Sequence, residues 1–456
     1  MDRTGTGPGP AGKGPRQAHL VGLDGRGMPG LAQLLVQRGC VVTGSEPAPG
    51  PSTDRLRRLG VRVHPGHGPR SLPRSARLLV YGPDVPREHP DRLAAARLGV
   101  EQVSCSELLG GLLRRGIGVV TTGGRRSGVV AAMVGWTLAH AGLDPTILLG
   151  VPAPQLGGSG RLGRGPHVVV EAEGGPAVGD GPGAEVVVIL DDSGPSARSA
   201  ALRRWAEAAP PGGYVLGLAG AGDLALPGTA GGVEVERFSL EPGHAWWGAD
   251  VREDRGRYRF RAFHRGLFAT EVRLRVPGRH HVLGALAAVA ACGRFDLTAR
   301  AIREALEEFE GVSRGFESRG SYRGVTLVDD EAAGPMAAGE ALATARQVFG
   351  RRRLWAAYRP DPPGAGPGAD PSEFAAADRV LIIDEGGPSG ASRASALAGA
   401  LADGGAGPLR ATGPEGAIRE LDRHLEPGDV LVTLGAGDVG TIADAFLRRL
   451  SRDPHA

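Results

Sequence analysis

Apolar residues fall into two rhythms along the chain, and their alternation predicts strands followed by helices. His19-Leu20-Val21 reads as a strand, a glycine-rich turn follows, and Leu31 to Val36 has helical spacing. Cys40-Val41-Val42 reads as a short strand. Leu78-Leu79-Val80-Tyr81 has the continuous apolar character of a strand buried on both faces, and Ser106 to Arg114 closes the unit as a helix. Strand, glycine-rich turn and long helix recur at Ile117 to Val120 and Val129 to Ala141. Val168 to Val170 and Val186 to Ile189 read as strands of a parallel sheet. From Gly231 to Val276 the pattern becomes short alternating strands with many turn residues, followed by helices His281 to Cys292 and Thr298 to Glu308. Strands Val325 to Asp330, Leu354 to Tyr358, Val380 to Asp384 and Val430 to Leu434 then alternate with helices Met336 to Val348, Ala394 to Ala402 and Ile442 to Leu450. Pro360 to Pro371, mostly Pro and Gly, reads as a loop.

The chain is therefore expected to be α/β with three domains, which suits its 456 residues. The boundaries fall at 1–17 for a disordered Gly/Pro-rich tail, 18–115 for a Rossmann-like N-terminal domain, 116–311 for a central phosphate-loop-type domain and 312–456 for a Rossmann-like C-terminal domain. The tail lacks the apolar segment of a signal peptide, and no apolar run is long enough to span a bilayer. A cytoplasmic protein is expected. Cys40, Cys105 and Cys292 are widely separated, without zinc or disulfide spacing, and read as buried thiols. A net charge of +3, with arginines scattered among acids, argues against a nucleic-acid partner. The chain has a single lysine, Lys13, and no asparagine.

The first glycine-rich turn, LVGLDGRGMPG, begins at Gly22 and carries Gly25, Gly27 and Gly30 as GxGxxG at a helix start. Such a turn lets backbone amides approach a diphosphate, and it also serves as a plain tight turn. Glu46, ending the next strand, is placed to bond a ribose hydroxyl, as in nicotinamide-binding domains. The other two domains hold no hydride-transfer constellation, so an oxidoreductase reading rests on this turn alone.

The second turn decides more. GVVTTGGRRSGVVAAMVGWTLAHAGLDPTILLG, Gly118 to Gly150, resembles the ATP-binding segment of the Mur ligase family, which runs GTHGKTTTT and ends AGLDPT. Counting back from AGLDPT places GTHGKT on Gly123, Gly124, Arg125, Arg126, Ser127 and Gly128, with the lysine at Ser127. Gly158, Arg161, Leu162 and Gly163 match the ARLG segment of the alanine ligases in that family. Glu171 and Glu173 fall on its AEADESD stretch, whose metal-holding carboxylate becomes Gly174. Asp191-Asp192 stands where the family has an acidic residue and a metal-binding histidine; as plain residues they read as turn or capping positions. PGRHHVLGALAA is similar to PGRHNVLNALAA, GVSRGFE to GVKRRFE, VTLVDDEAAGP to VTVIDDYAHHP, and LGAGD to the last MGAGD turn.

The resemblance covers about His19 to Leu450 and implies the three-domain Mur ligase architecture: an N-terminal UDP-sugar domain, a central ATPase domain and a C-terminal domain. It implies ATP and magnesium as cofactors and a role in peptidoglycan precursor synthesis. Gly123, Gly124, Arg125, Arg126, Ser127, Gly128, His280, Asp329 and Asp330 would meet the nucleotide. Gly22, Gly25, Gly27, Gly30, Arg161 and Arg314 would meet the substrate, and Glu173 the metal. The mismatches concentrate where nucleotide, metal and acceptor should sit. A phosphate loop needs glycine before its lysine so that backbone can wrap the phosphates, and a guanidinium does not replace an ammonium in geometry. The expectation is a catalytically degenerate relative acting by binding or regulation, with a UDP-sugar precursor or a cell-wall protein as partner. The alternative is an active ATP-dependent acid–amino acid ligase in which Arg125, Arg126, Glu173 and Asp191 rebuild the site.

Overall fold

A computed structural model describes residues 17–25, 27–47, 50–124, 126–172, 183–190, 207–219, 232–332, 334–360, 370–384, 393–404, 407–435 and 437–450. Three sheets organise them. The first is parallel, with strands β1 (Gln17–Val21), β2 (Val41–Glu46), β3 (Arg62–Pro65), β4 (Leu78–Tyr81) and β5 (Glu101–Ser104) in the order β3-β2-β1-β4-β5. The order reverses at β1, so the glycine turn after β1 opens at the switch point where such sheets bind ligands.

The second sheet has ten strands among the described residues: β6 (Ile117–Thr122), β7 (Thr146–Ala153), β8 (Gly158–Arg161), β9 (His167–Glu171), β10 (Ala184–Ile189), β11 (Tyr214–Leu218), β12 (Glu234–Ser239), β13 (Trp246–Asp254), β14 (Arg257–His264) and β15 (Leu267–Pro277). Their order is β15-β14-β13-β12-β11-β10-β6-β9-β7-β8. The valine-rich strands β9 and β10 flank β6 and pair with it in parallel, covered on both faces, as their continuous apolar runs require. The antiparallel strands β13 to β15 instead alternate buried and exposed positions, and the helix Ala299–Glu308 covers the β15 end with Ile302 and Leu306.

The third sheet contains β16 (Glu317–Tyr322), β17 (Val325–Asp330), β18 (Leu354–Tyr358), β19 (Arg379–Asp384), β20 (Leu409–Thr412) and β21 (Val430–Leu434), ordered β16-β17-β21-β18-β19-β20 and parallel except for β16. The chain enters it through Arg314 and Phe316, both at positive φ (57° and 56°), an uncommon backbone for side-chain-bearing residues. Most of the Pro360 to Pro371 loop lies outside the described residues.

The first two units interlock. β8 is the edge of the central sheet, and edge backbone groups need partners. The helix Met28–Gln37 supplies them: Gln33 Nε2 donates to the Gly157 carbonyl (2.8 Å) and its Oε1 accepts from the Gly160 amide (3.2 Å). One turn on, Gln37 Nε2 donates to the Gly160 carbonyl (3.2 Å) and its Oε1 accepts from the Leu162 amide (2.6 Å). The approach is so close that a Cβ on Gly160 would lie 2.1 Å from the Gly30 carbonyl oxygen, and one on Gly30 2.7 Å from that of Ser159.

Of the three cysteines, Cys105 and Cys292 are buried as expected, and burial pushes both thiols up to about 12. Cys40 departs from the expectation: it follows the exposed end of a helix and is only partly covered.

Candidate functional site

After β1 the backbone turns through Gly22 and Gly27, at φ 76° and 77°, into the helix Met28–Gln37, with Gly27 as a left-handed N-cap. Those two glycines are required by backbone geometry. Gly25 packs closely instead, since a Cβ there would stand 3.1 Å from the Gly22 carbonyl oxygen. Gly30 faces the central domain rather than the mouth of the turn, so its need for hydrogen as a side chain is explained by helix-to-strand packing.

Glu46 ends β2 as expected, and its carboxylate accepts from the Asp24 amide at 3.2 Å. Partial burial, followed by the negative charge of Glu46, pushes the Asp24 carboxyl up to about 6. Two acids thus stand at the turn where an anionic diphosphate is expected, an unfavourable electrostatic pairing.

In the central domain β6 runs into Gly123 and Gly124, at φ 104° and 88°, and then into the helix Arg126–His140. A glycine-rich turn thus enters a helix N-terminus, where backbone amides can face an anion. Ser127 is fully buried in its first turn. Its hydroxyl donates to the Gly124 carbonyl (2.7 Å), its amide does the same (3.0 Å), and its own carbonyl accepts from Thr121 (2.9 Å). Beside it lies buried Glu171, whose Oε2 accepts from the Gly150 amide (2.7 Å) and whose Oε1 is 3.5 Å from Ser127 Oγ. Gly128 makes this neighbourhood fit, because a Cβ there would meet the Glu171 carboxylate at 2.8 Å. Arg126 turns outward to Glu340 on the helix Pro335–Phe349 of the third unit, at 2.7 Å. The described residues thus give a glycine turn that opens a helix N-terminus, with Ser127 buried in its first turn and Arg126 paired to Glu340. Arg125, Glu173, Asp191 and Asp192 lie outside the described residues.

His280 opens the helix His280–Cys292 beneath this loop, and burial, with the charge of Arg126, lowers its ring to about 4. His281 is buried; its Nδ1 donates to the Pro277 carbonyl (2.5 Å), and burial first, then His280, lowers its pKa further. Both rings are neutral at pH 7.

The remaining candidates hold structure together in this conformation. Arg161 is paired with Asp144 at the junction of β7 and β8. Arg314 donates to buried Asp329 (3.0 Å) and to the carbonyls of Gly435 (2.5 Å) and Gly437 (3.0 Å). Asp329 also accepts from Thr433 (2.8 Å). Asp330 accepts the Phe316 and Ala332 amides, both at 2.8 Å, and so clasps the entry into the third unit. The structure brings Ser127, Gly128 and Arg126 together with His280, and leaves Arg161 and Arg314 in separate places. Sequence reading missed the Arg126–Glu340 contact and the role of Glu171, because neither long-range partner has a local signal.

Three α/β units in series, the middle one opened by a glycine turn at a helix N-terminus, define a three-domain α/β architecture. The models described as "Mur ligase family, catalytic domain" and "Mur ligase, glutamate ligase domain" match residues 17–116 and 315–437. The chain is 32% identical to a UDP-N-acetylmuramate–L-alanine ligase of Symbiobacterium thermophilum over 95% of both chains, and 33% identical to one of Kineococcus radiotolerans over 95% of this chain and 96% of that one. In fold it is similar to the UDP-N-acetylmuramate–alanine ligase of Thermotoga maritima (TM-score 0.81, 22% identity, covering 96% and 99% of the two chains). It is also similar to a murein peptide ligase of Psychrobacter arcticus (TM-score 0.72, 20% identity, 96% and 99%). The chain belongs to the Mur ligase family. Among the described residues no helix is long and apolar enough to cross a membrane.

Proposed function

We propose that this chain serves peptidoglycan precursor synthesis as a Mur ligase relative that binds or regulates, with a UDP-sugar precursor as its ligand, rather than as an efficient amide-forming ligase. One observation carries the reading: the position of the family's phosphate-loop lysine holds buried Ser127, whose hydroxyl and amide both turn back onto Gly124. A short neutral side chain there cannot reach the outer phosphates of a nucleotide. The adjacent Arg126 is engaged with Glu340. Loss of one preorganised donor lowers turnover by roughly a hundred- to a thousandfold.

A second reading is favoured by the relatives, which carry the ligase name over 95% of this chain. In it the protein is an active ATP-dependent ligase and Arg126, released from Glu340, neutralises phosphate charge, with Arg125, Glu173 and Asp191 completing the site. The two readings separate in a phosphate-release assay with ATP, magnesium, UDP-N-acetylmuramate and L-alanine. Release dependent on all three substrates establishes the ligase and removes the first reading. No release, together with calorimetric binding of UDP-N-acetylmuramate alone, supports the first.

A further inference from the structure

Beside the first glycine turn, whose Gly22 amide donates to the Ser45 carbonyl (3.2 Å), the carboxyl ends of β2, β3 and β4 converge on a cluster that the reading above does not use. Asp91 lies fully buried in the first turn of the helix Pro90–Leu98. Its Oδ1 accepts from the Gly68 amide (2.5 Å) and the Ser71 hydroxyl (2.6 Å), and its Oδ2 accepts from the Ser45 hydroxyl (2.5 Å). Burial works to raise this carboxyl, but the neighbouring His19 ring and the hydrogen bonds from Ser45, Ser71 and Gly68 outweigh it and hold it well below the usual range.

Two imidazoles border the carboxylate. His67 Nδ1 is 3.3 Å from Asp91 Oδ2 and 2.9 Å from Ser45 Oγ, and the His67 and His89 rings meet edge-on with centroids 4.3 Å apart. One donor atom from each of His67, His89 and Asp91 lies within 4.8 Å of the other two. A separate observation points to the same spot. His19, fully buried, has Nδ1 bonded to Thr43 (2.9 Å), while its Nε2 has no hydrogen-bond partner among the described residues and faces Asp91 Oδ2 at 3.9 Å. Buried polar atoms without partners are rare in folded proteins. This one marks unfilled polar capacity beside the carboxylate.

We propose that His67, His89 and Asp91 form a binding site for a first-row divalent cation of the zinc type. Imidazole nitrogen with carboxylate oxygen is the donor set such ions take, whereas magnesium and calcium favour oxygen alone. Three protein ligands leave a fourth position for water or an anionic ligand. Atoms of a tetrahedral shell stand roughly 3.3 Å apart when the metal bonds are about 2.0 Å, so the set must contract. His67 supplies that movement, because it lies on the surface while Asp91 is fixed by three donors.

The test is calorimetric titration of zinc chloride into the tag-free, chelator-treated full chain, with cobalt(II) absorption as a second readout. The natural chain should take up zinc, and His67→Ala or His89→Ala should each weaken uptake at least about tenfold. His64→Ala, on exposed β3, should leave it unchanged. Cobalt(II) should give visible ligand-field bands that His67→Ala abolishes. Because His89 also caps its helix, the His67 variant decides the matter if the His89 variant misfolds: the His67 ring contacts Ser45 and Asp91, but Asp91 keeps its bonds from Ser45, Ser71 and Gly68 without it. Absence of zinc uptake by the natural chain, or uptake undiminished by His67→Ala, overturns the proposal.

Discussion

Asp330 is the place to perturb the joint into the third unit. Its two oxygens accept the Phe316 and Ala332 amides, and the first of these follows directly on the positive-φ residue Arg314 and its neighbour Gly315. Burial raises its carboxyl from the usual 3.8 to about 7; the two amides and Arg314 lower it, and Asp329 raises it. The sign follows from linkage. Between those values the unfolded chain has lost this proton and the folded chain has kept it, so folding stability falls as pH rises from about 4 to about 7. At roughly 1.4 kcal/mol per pH unit the ceiling is ~4 kcal/mol. The residue keeps some exposed surface, so a fall of ~2 kcal/mol is the expected size. Asn keeps the shape and neutral charge of the protonated acid but loses one of the two accepted amides at every pH, so the pH dependence of the stability difference between natural chain and Asp330→Asn isolates this proton from every other titration. Urea denaturation of both proteins at about pH 4.5, 6 and 8 should show the natural chain losing ground to the variant by that amount. A difference that stays flat, or that grows in favour of the natural chain as pH rises, would refute the reasoning.

Asp91 should behave in the opposite sense: its lowered carboxyl contributes stability above about pH 4 that is lost on acidification, and Asp91→Asn should cost ~2–4 kcal/mol at neutral pH, read by thermal melts across acid pH. Gly160→Ala should cost ~1–3 kcal/mol, because the added methyl meets a backbone oxygen at 2.1 Å; an unchanged melting temperature would show that the two units do not pack as described. Arg126 and Glu340 are each 42% exposed, so a double-mutant cycle with alanine should give a coupling below ~1 kcal/mol in denaturation experiments. The Ser127→Lys, Arg126→Gly double variant should bind ATP with magnesium more tightly than the natural chain in calorimetry, and equal or weaker binding would count against a lapsed cradle.

Much of the fold was legible because it is written in local pattern. The buried valine runs of β9 and β10, the Ala-rich helix around Ala285 buried on nearly every side, and the helices around Leu342 and Phe446 carry their structure in their own sequence pattern. Shorter elements were not legible: β3, β5 and β20 have four residues each, partly exposed, and half of the helix Pro51–Arg58 is charged with a single large apolar residue, Leu56, so none has an apolar rhythm to read. At the site, the glycines at positive φ announced themselves as turn residues. The partners of Arg126, Arg161 and Arg314 did not, since ion pairs between distant segments depend on how the sheets meet. Gly30 shows the limit most plainly: its spacing fits a diphosphate turn, and its surroundings are the backbone of another domain.

The glutamine clasp between the helix Met28–Gln37 and strand β8 also has a bearing on how this protein can be taken apart. Gln33 and Gln37 complete a sheet that belongs to the neighbouring unit, so the N-terminal unit is not a detachable module. Excising it would bare a strand edge ready to pair with foreign chains, and a chimera that swaps it for a homologue's must carry both glutamines and the facing glycines along with it.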